Sequence, residues 1–171
     1  MTQEKTTISF EGEEVELPLV VGSEDEKGLD ISKLRSQSGL VTYDPGYANT
    51  GACQSSITFI DGEEGILRYR GYPIEELAEK SSFLEICWLL IYGELPNAEA
   101  LSQFHENVMQ HTMLHENFRS FFSSLPKDAH PMPVTAATVG ALSTFYQEKE
   151  TERSIQETTT RLITKFPTIA A

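Results

Sequence analysis

Four histidines have the widest range of chemistry in this chain: His105, His111, His115 and His130. His111 and His115 stand four residues apart, so on a continuous helix they would share a face and could bind a metal ion together. The residues around them do not form an HExxH motif, and at 100° per residue His105 would point roughly 80–120° away from the pair. We therefore expect these histidines to lie on helix surfaces or to cap helix ends, and we expect no metal site.

Neither nucleophilic nor carboxylate catalysis has a recognisable motif here. The cysteines, Cys53 and Cys87, are 34 residues apart, and the chain contains no CxxC and no GxSxG. A disulfide framework, a structural zinc site and an acyl-enzyme nucleophile are therefore not expected. Adjacent glutamates lie in predicted turns or first helical turns, where unpaired N–H groups favour carboxylates. The segment 62–65 carries two of these glutamates and lacks the lysine of a P-loop, which argues against phosphate binding.

Two pairs of cationic side chains remain. Arg68 and Arg70 are two residues apart in a predicted strand, so they share a face and are expected to pair with the acidic segment. Arg161 and Lys165 stand four residues apart on the last predicted helix and would form a compact positive edge. That edge is either solvated or a contact for an anion, and the residues alone leave both interpretations open.

Charge and composition exclude several classes of protein. The 171 residues include 13 Lys and Arg against 26 Asp and Glu, a net charge of −13, so a nucleic acid or an anionic membrane would be repelled. No run approaches the roughly 18 apolar residues of a membrane helix, and the start of the chain lacks the apolar core of a signal peptide. We expect a cytoplasmic protein with one domain, or one domain with an extension, and with neither nucleic acid nor membrane as a partner.

The predicted elements are strands first and helices afterwards. Alternating apolar residues around turn-forming segments predict two hairpins, Thr7–Phe10 with Val15–Leu17 and Ser56–Ile60 with Ile66–Tyr69. After Gly71, capping residues, glycines and prolines predict helices over 73–80, 83–92, 98–112, 116–123, 133–146 and 152–165, with Pro167 opening another. We therefore predict a mainly α protein, with a β-rich extension over 1–70 and a helical domain over 71–171.

Five blocks of sequence, taken together and in order, match one family. They are Phe59–Ala78, Phe83–Pro96, His111–Met113, His130–Met132 and Pro167–Ala171. They resemble bacterial citrate synthases, and the acidic β-rich start with Asp44-Pro45-Gly46-Tyr47 resembles the hexameric variety. The resemblance covers essentially the whole chain. It implies an N-terminal fragment whose residues 71–171 are the first helices of the family's large α-helical domain.

The resemblance also implies an activity and its partners. Citrate synthases of the tricarboxylic acid cycle are acyltransferases that condense acetyl-CoA with oxaloacetate and water to give citrate and CoA. An Asp removes the methyl proton, two His stabilise the enol and polarise the carbonyl, and arginines hold the carboxylates. In the family these residues lie beyond the position where this chain ends, so we expect no catalytic residue here and no activity from this piece alone. The full-length enzyme would need no cofactor and would form a homodimer or homohexamer.

Some hexameric members of the family are inhibited by NADH at a regulatory site. By motif, the ligands of that site match His111, Thr112, Tyr146, Arg161 and Lys165. The cation pair would suit the phosphates of the nucleotide. Two departures from the family's pattern stand beside this expectation: Gln110 occupies a position where the regulated enzymes carry Arg, and the loop 147–153 is shorter.

Two alternatives remain open at this point. The first is 2-methylcitrate synthase, which shares the fold and accepts propionyl-CoA, although those enzymes usually lack the long β-rich start. The second is a noncatalytic oligomerisation or NADH-sensing module. An open reading frame that continues after Ala171 with later His and Asp motifs would exclude this second alternative.

Overall fold

A three-stranded antiparallel sheet begins the chain in the computed structural model, which describes residues 4–146 and 152–171, with side chains from residue 155 in the second range. Strands β1 (Lys5–Phe10), β2 (Glu13–Val21) and β3 (Lys27–Leu29) are ordered β1-β2-β3. The two-residue turn between β1 and β2, Glu11-Gly12, has φ of 50° and 87°, and such turns match the twist of hairpin strands. The first predicted hairpin is confirmed, and β3 extends it.

The core of this first sheet lies on one face. Val15 and Leu17 alternate along β2 and are buried with Leu34 of a short helix, α1 (Leu34–Ser38). Ile8 of β1 packs against the same cluster and pairs with Val15 in the strand register. Neither β3 nor α1 was predicted, because each is too short to show a hydrophobic period.

The second hairpin is confirmed as well. Strands β4 (Thr58–Asp61), β5 (Ile66–Tyr69) and β6 (Tyr72–Pro73) form a second antiparallel sheet in that order. The carboxylate of Asp61 accepts hydrogen bonds from the backbone N–H groups of Glu63 and Glu64 at 3.0 and 2.9 Å. Asp61 therefore fixes the connecting turn, as expected for an Asp at this position.

Six helices follow within the described residues. They are α2 (Ile74–Lys80), α3 (Phe83–Tyr92), α4 (Ala98–Gln110), α5 (Phe118–Ser123), α6 (Pro131–Leu142) and α7 (Glu152–Ala170). The Ser82–Glu85 capping box and the Asn97 cap are present as predicted, and Gly93 ends α3 with φ of 93°. The predicted fold class, mainly α with β structure at the start, is confirmed.

Several helix boundaries differ from the prediction. Helix α4 ends at Gln110, so His111 and His115 do not share a continuous helix. Helix α6 begins at Pro131 with His130 as its N-cap, and it ends at Leu142. Helix α7 continues through Pro167 to Ala170, where a new helix had been expected.

Packing explains the continuation of α7. Ile169, beyond the proline, is buried with Phe118 and Leu142 in the main apolar cluster of the helical region. Burial of this side chain stabilises the last turn by about 1.5–3 kcal/mol, which offsets much of the cost of a proline in a helix. Tertiary packing therefore overrides the local signal of Pro167.

The chain divides into two compact units, Met1–Ser55 and Ser56–Ala171. The second hairpin belongs to the same unit as helices α2 to α7. A domain boundary after residue 70 stays a proposal about the organisation of the protein. Within the described residues, no helix is both long and apolar enough to cross a membrane.

Candidate functional site

Lys165 joins the end of α4 to the middle of α7. Lys165 is only 3% exposed. Its Nζ donates hydrogen bonds to the backbone carbonyls of His111 at 2.8 Å and Met113 at 2.5 Å. Carbonyls at the end of a helix lack intrahelical donors, and a cation there also matches the helix dipole. Lys165 therefore caps α4 from another helix.

Two threonines on α7 bind the same segment. Thr164 Oγ1 donates to the carbonyl of His111 at 3.2 Å, and Thr168 Oγ1 donates to the carbonyl of Thr112 at 2.9 Å. The spacing 164, 165 and 168 lies on one side of α7. The segment 111–113 is consequently held by three side chains that the sequence places more than 50 residues away.

Tyr146 and Arg161 lie beside this contact. The guanidinium carbon of Arg161 is 4.7 Å from the centre of the Tyr146 ring, and Lys165 Nζ is 5.6 Å from it. Arg161 also forms an ion pair with Glu157 at 3.4 Å, and its side chain is 15% exposed. The predicted positive edge is therefore not solvated, because both cations are turned towards Tyr146 and the end of α4.

The five residues predicted for an NADH site lie near the end of α4 and the facing part of α7, but they divide between two cavities. Tyr146, Arg161 and Lys165 line a cavity of about 270 Å³ between the end of α6 and α7. His111 faces a second cavity, of about 480 Å³, between α3, α4 and α7. Thr112 follows His111 in the chain, and its carbonyl accepts a hydrogen bond from Thr168 Oγ1. Residues 147–151 of the loop compared with regulated enzymes lie outside the described residues.

Three of the histidines act at helix ends or turns. His111 is the C-cap of α4, and its Nδ1 lies 2.8 Å from the carbonyl oxygen of Asn107. His115 Nδ1 accepts from the N–H of Asn117, and His130 Nδ1 accepts from the N–H of Met132, both at 3.2 Å. The predicted capping role is confirmed for His111 and His130, whereas His115 lies in the turn before α5. In the part of the chain that the structure describes, no three His, Cys, Asp or Glu side chains cluster as metal ligands would.

Arg70 has a role that the sequence pattern did not predict. Strand β5 ends at Tyr69, and Arg70 adopts a left-handed φ of 50°. Its guanidinium donates to the carbonyl of Leu90 at 2.8 Å and to Ser56 Oγ at 3.0 Å. The expected pairing of Arg70 with the acidic segment is therefore wrong, because the turn at Gly71 directs the side chain to the last turn of α3.

The environments of Cys87 and Asp44 shift the pKa values of these groups without creating a catalytic centre. Burial raises the pKa of the Cys87 thiol above its ordinary value, which makes a thiolate nucleophile less available. In the first unit, hydrogen bonds from Thr50 Oγ1 and the N–H groups of Asn49 and Ala48 lower the pKa of Asp44. Asp44 thereby organises the loop 44–50, which sequence reasoning noted only as part of a motif.

Comparison with known proteins identifies the family. Residues 46–171 match the family model described as citrate synthase, C-terminal domain. The chain belongs to the citrate synthase family. The prediction that the chain belongs to this family is confirmed.

Curated citrate synthases are close in sequence. The chain is 48% identical over 173 residues to citrate synthase 1 of Mycobacterium tuberculosis, covering 99% of this chain and 40% of that protein. It is 44% identical over 170 residues to the citrate synthase of Corynebacterium glutamicum, covering 98% of this chain and 39% of that protein. The chain therefore spans about two fifths of the length of these relatives.

Solved citrate synthases share the fold. The enzyme from Thermotoga maritima matches with a TM-score of 0.64 at 32% identity, over 75% of this chain and 33% of that one. The enzyme from Pyrobaculum aerophilum matches with a TM-score of 0.61 at 34% identity, over 68% of this chain and 32% of that one. The Thermoplasma acidophilum enzyme, solved with carboxymethyl coenzyme A and oxaloacetate, has a TM-score of 0.66 at 24% identity, over 71% of this chain and 32% of that one. At that identity it supports the fold alone.

Proposed function

We propose that this chain is part of a citrate synthase that condenses acetyl-CoA with oxaloacetate and water to give citrate and CoA. The observation that carries the proposal is 48% identity to a curated citrate synthase along 99% of the chain. Because the chain spans only about two fifths of that relative, the activity belongs to the longer protein. We assign no catalytic role to any of the 171 residues.

In this proposal the described helices act as scaffold. The reaction needs an acid–base pair and cations held in fixed positions around both substrates. Hydrogen bonds between residues distant in the sequence, such as Lys165 to His111 and Arg70 to Leu90, restrict how the helices can move. They would support catalytic groups supplied by the remainder of the enzyme.

A thiol-release assay tests the proposed reaction. The product of the complete reading frame is incubated with oxaloacetate and either acetyl-CoA or propionyl-CoA, and free CoA is measured. We expect release that depends on oxaloacetate and is faster with acetyl-CoA. Faster release with propionyl-CoA would favour a 2-methylcitrate synthase, and a folded product that releases no CoA with either would contradict both.

We also propose that the complete enzyme is of the hexameric type and works in the cytoplasm. The compact β-rich unit at the start of the chain is the feature that supports the hexameric type. Cys53 and Cys87 are both free thiols, as a reducing compartment favours. Light scattering coupled to size exclusion measures the assembly: a mass of six subunits is expected, and a mass of two would contradict the hexameric type.

NADH sensing is a second proposal, supported by the convergence of His111, Thr112, Tyr146, Arg161 and Lys165 around the end of α4. Lys165 is occupied by two carbonyls, so Arg161 is the better candidate for a phosphate. A phosphate there would compete with Glu157, the present ion-pair partner of Arg161.

Fluorescence of NADH on the complete protein tests this second proposal. Arg161→Gln should weaken binding about tenfold or more, because a guanidinium–phosphate contact is charge-assisted. Arg119→Gln removes an exposed arginine of α5 and serves as the matched control. Equal affinity in both variants, or no binding to the unaltered protein, would contradict an NADH site at these residues.

A further inference from the structure

Helix α6 begins with an unusual set of residues. Pro131 and Pro133 occupy its first and third positions, and proline has no backbone N–H. Met132 therefore carries the one N–H among the first three helical positions that needs an acceptor from outside the helix. His130 Nδ1 accepts it at 3.2 Å, from a residue in the extended conformation of an N-cap, with φ of −63° and ψ of 133°. The cap of α6 thus depends on one imidazole ring.

An imidazole differs from the usual caps because a proton can remove its acceptor. Ser, Thr, Asp and Asn are the common N-caps, and Ser82 and Asn97 have this role for α3 and α4. Because a backbone N–H can only donate, the contact with Met132 requires that Nδ1 of His130 carries no proton. Protonation would replace the acceptor with a positive charge at the positive end of the helix dipole. Mild acid therefore acts against the first turn of α6.

The first turn of α6 lines an apolar cavity of about 410 Å³. Pro131, Val134 and Thr135 of α6 and Ile169 of α7 contribute to this lining. Ile169 is buried in the same cluster as Leu142, at the other end of α6. An opening of the first turn of α6 would therefore expose apolar surface beside the main cluster of the helical region.

The other charged groups around this helix do not respond to mild acid. Lys127 lines the cavity, Asp128 follows it in the turn before the cap, and Ala171 carries the carboxylate of the 171-residue chain. On α7, Arg161 and Lys165 lie beside the other end of α6. Lysines, arginines and carboxylates in general keep their charge between about pH 5.5 and pH 7.5, whereas the charge of histidine changes there. Among these described groups, the imidazole of the cap is therefore the one that responds.

We propose that His130 makes the first turn of α6 a pH-sensitive element of the fold. With a neutral imidazole the turn is closed, and with a protonated imidazole it opens and exposes the apolar lining. The contribution of the cap is present at neutral pH and is lost as the pH falls, because the proton takes the lone pair that accepts the Met132 N–H. This behaviour is independent of the proposed reaction and of NADH, because His130 is assigned to neither.

Hydrogen exchange measured by mass spectrometry, on peptides that include Met132, tests the proposal. The unaltered protein is compared with His130→Asn, whose cap side chain does not titrate, at about pH 7.5 and at about pH 5.5. Comparison at the same pH cancels the intrinsic pH dependence of exchange. We expect the exchange rate of the unaltered protein, relative to that of His130→Asn, to rise about fivefold at the lower pH, the factor that loss of one N-cap represents. An unchanged ratio would overturn the proposal.

Two further variants separate titration of the cap from a general effect of acid. His130→Ala has no acceptor at either pH, so its exchange around Met132 should be fast at both. His105→Asn removes an exposed histidine of α4 and should keep the pH response of the unaltered protein. A pH response that persists in His130→Ala, or that disappears in His105→Asn, would overturn the assignment to His130.

Discussion

Arg70 is the residue whose role is most clearly defined by three-dimensional contacts. Its guanidinium binds the carbonyl of Leu90, in the last turn of α3, and Ser56 at the start of the second hairpin. Arg70→Met should lower the free energy of unfolding by about 1.5–3 kcal/mol, because hydrogen bonds to a charged donor are lost. Urea unfolding of the purified protein measures the loss. Arg119→Met is the control, and an equal effect of both changes would contradict this role.

Lys165 stabilises the end of α4 in a comparable way. Lys165→Met should lower the free energy of unfolding by about 2–3 kcal/mol, because two backbone carbonyls lose a buried charged donor. Lys127→Met, at an exposed lysine, should change it by less than about 0.5 kcal/mol. Urea unfolding again gives both values. A loss for Lys165→Met no larger than that for Lys127→Met would exclude the capping role.

At the scale of residues, the sequence predicted which cationic side chains share a helix better than it predicted their burial and contacts. The spacing of Arg161 and Lys165 correctly placed both on one helix. Their burial was not predictable, because it depends on Tyr146 and on the end of α4, which are distant in sequence. The direction of the Arg70 side chain depends on the left-handed backbone conformation of Arg70 itself, just after the end of β5. Residues other than glycine rarely adopt this conformation, so the sequence did not predict it.

At the scale of elements, local signals at the ends of helices were the most informative. Ser82 and Glu85 begin α3 with reciprocal hydrogen bonds, and Gly93 ends it. These signals act within four residues, so they can be recognised without knowledge of the fold. The shorter α4 and the longer α7 were missed, because tertiary contacts with Lys165 and Ile169 decide where those helices end.

The capping box of α3 predicts a pH dependence. The backbone N–H of Ser82, the largest cause, and its hydroxyl hydrogen-bond Glu85 and lower its pKa below the ordinary value of 4.5. The charged form is therefore favoured on folding, and its contribution is present above the unfolded-state pKa and lost as the pH falls through the folded one. Glu85→Gln should reduce stability at pH 7 and have a smaller effect at about pH 3.5.

Urea unfolding at both pH values measures this difference. Glu106→Gln, in the middle of α4, is the control for removing a helical glutamate. A stability difference between Glu85→Gln and the unaltered protein that is the same at both pH values would show that the charge of Glu85 contributes nothing to the cap.

At the scale of the whole molecule, the long loop that joins α1 to β4 has a testable property. From the end of α1 to the start of β4 there is no regular helix or strand, and Tyr43 in this loop is 91% exposed. Limited chymotrypsin digestion should cut first after Tyr43, because exposed backbone outside regular structure is cleaved most readily. Mass spectrometry identifies the cut. Tyr43→Ser should remove it, and a first cut within α3 or α4 would contradict this assignment.

The fold class was predictable at this scale because strands and helices occupy different parts of the chain and carry different periodicities. The position where the units separate was harder to predict, since no run of glycine, proline or serine marks it. The cavity of about 480 Å³ was also missed. It requires α3, α4 and α7 to come together, which no motif in the sequence records.

The most direct test of whether this chain forms part of a working citrate synthase is a chimera, in which the chain replaces the corresponding part of a curated relative. The chain replaces the aligned stretch of the Mycobacterium tuberculosis citrate synthase 1, and thiol release from acetyl-CoA is measured with oxaloacetate present. We expect the chimera to release CoA at a rate within about tenfold of its parent, since the replaced part supplies scaffold rather than catalytic groups. A chimera with the helical content and assembly of the parent but no release of CoA would contradict this account.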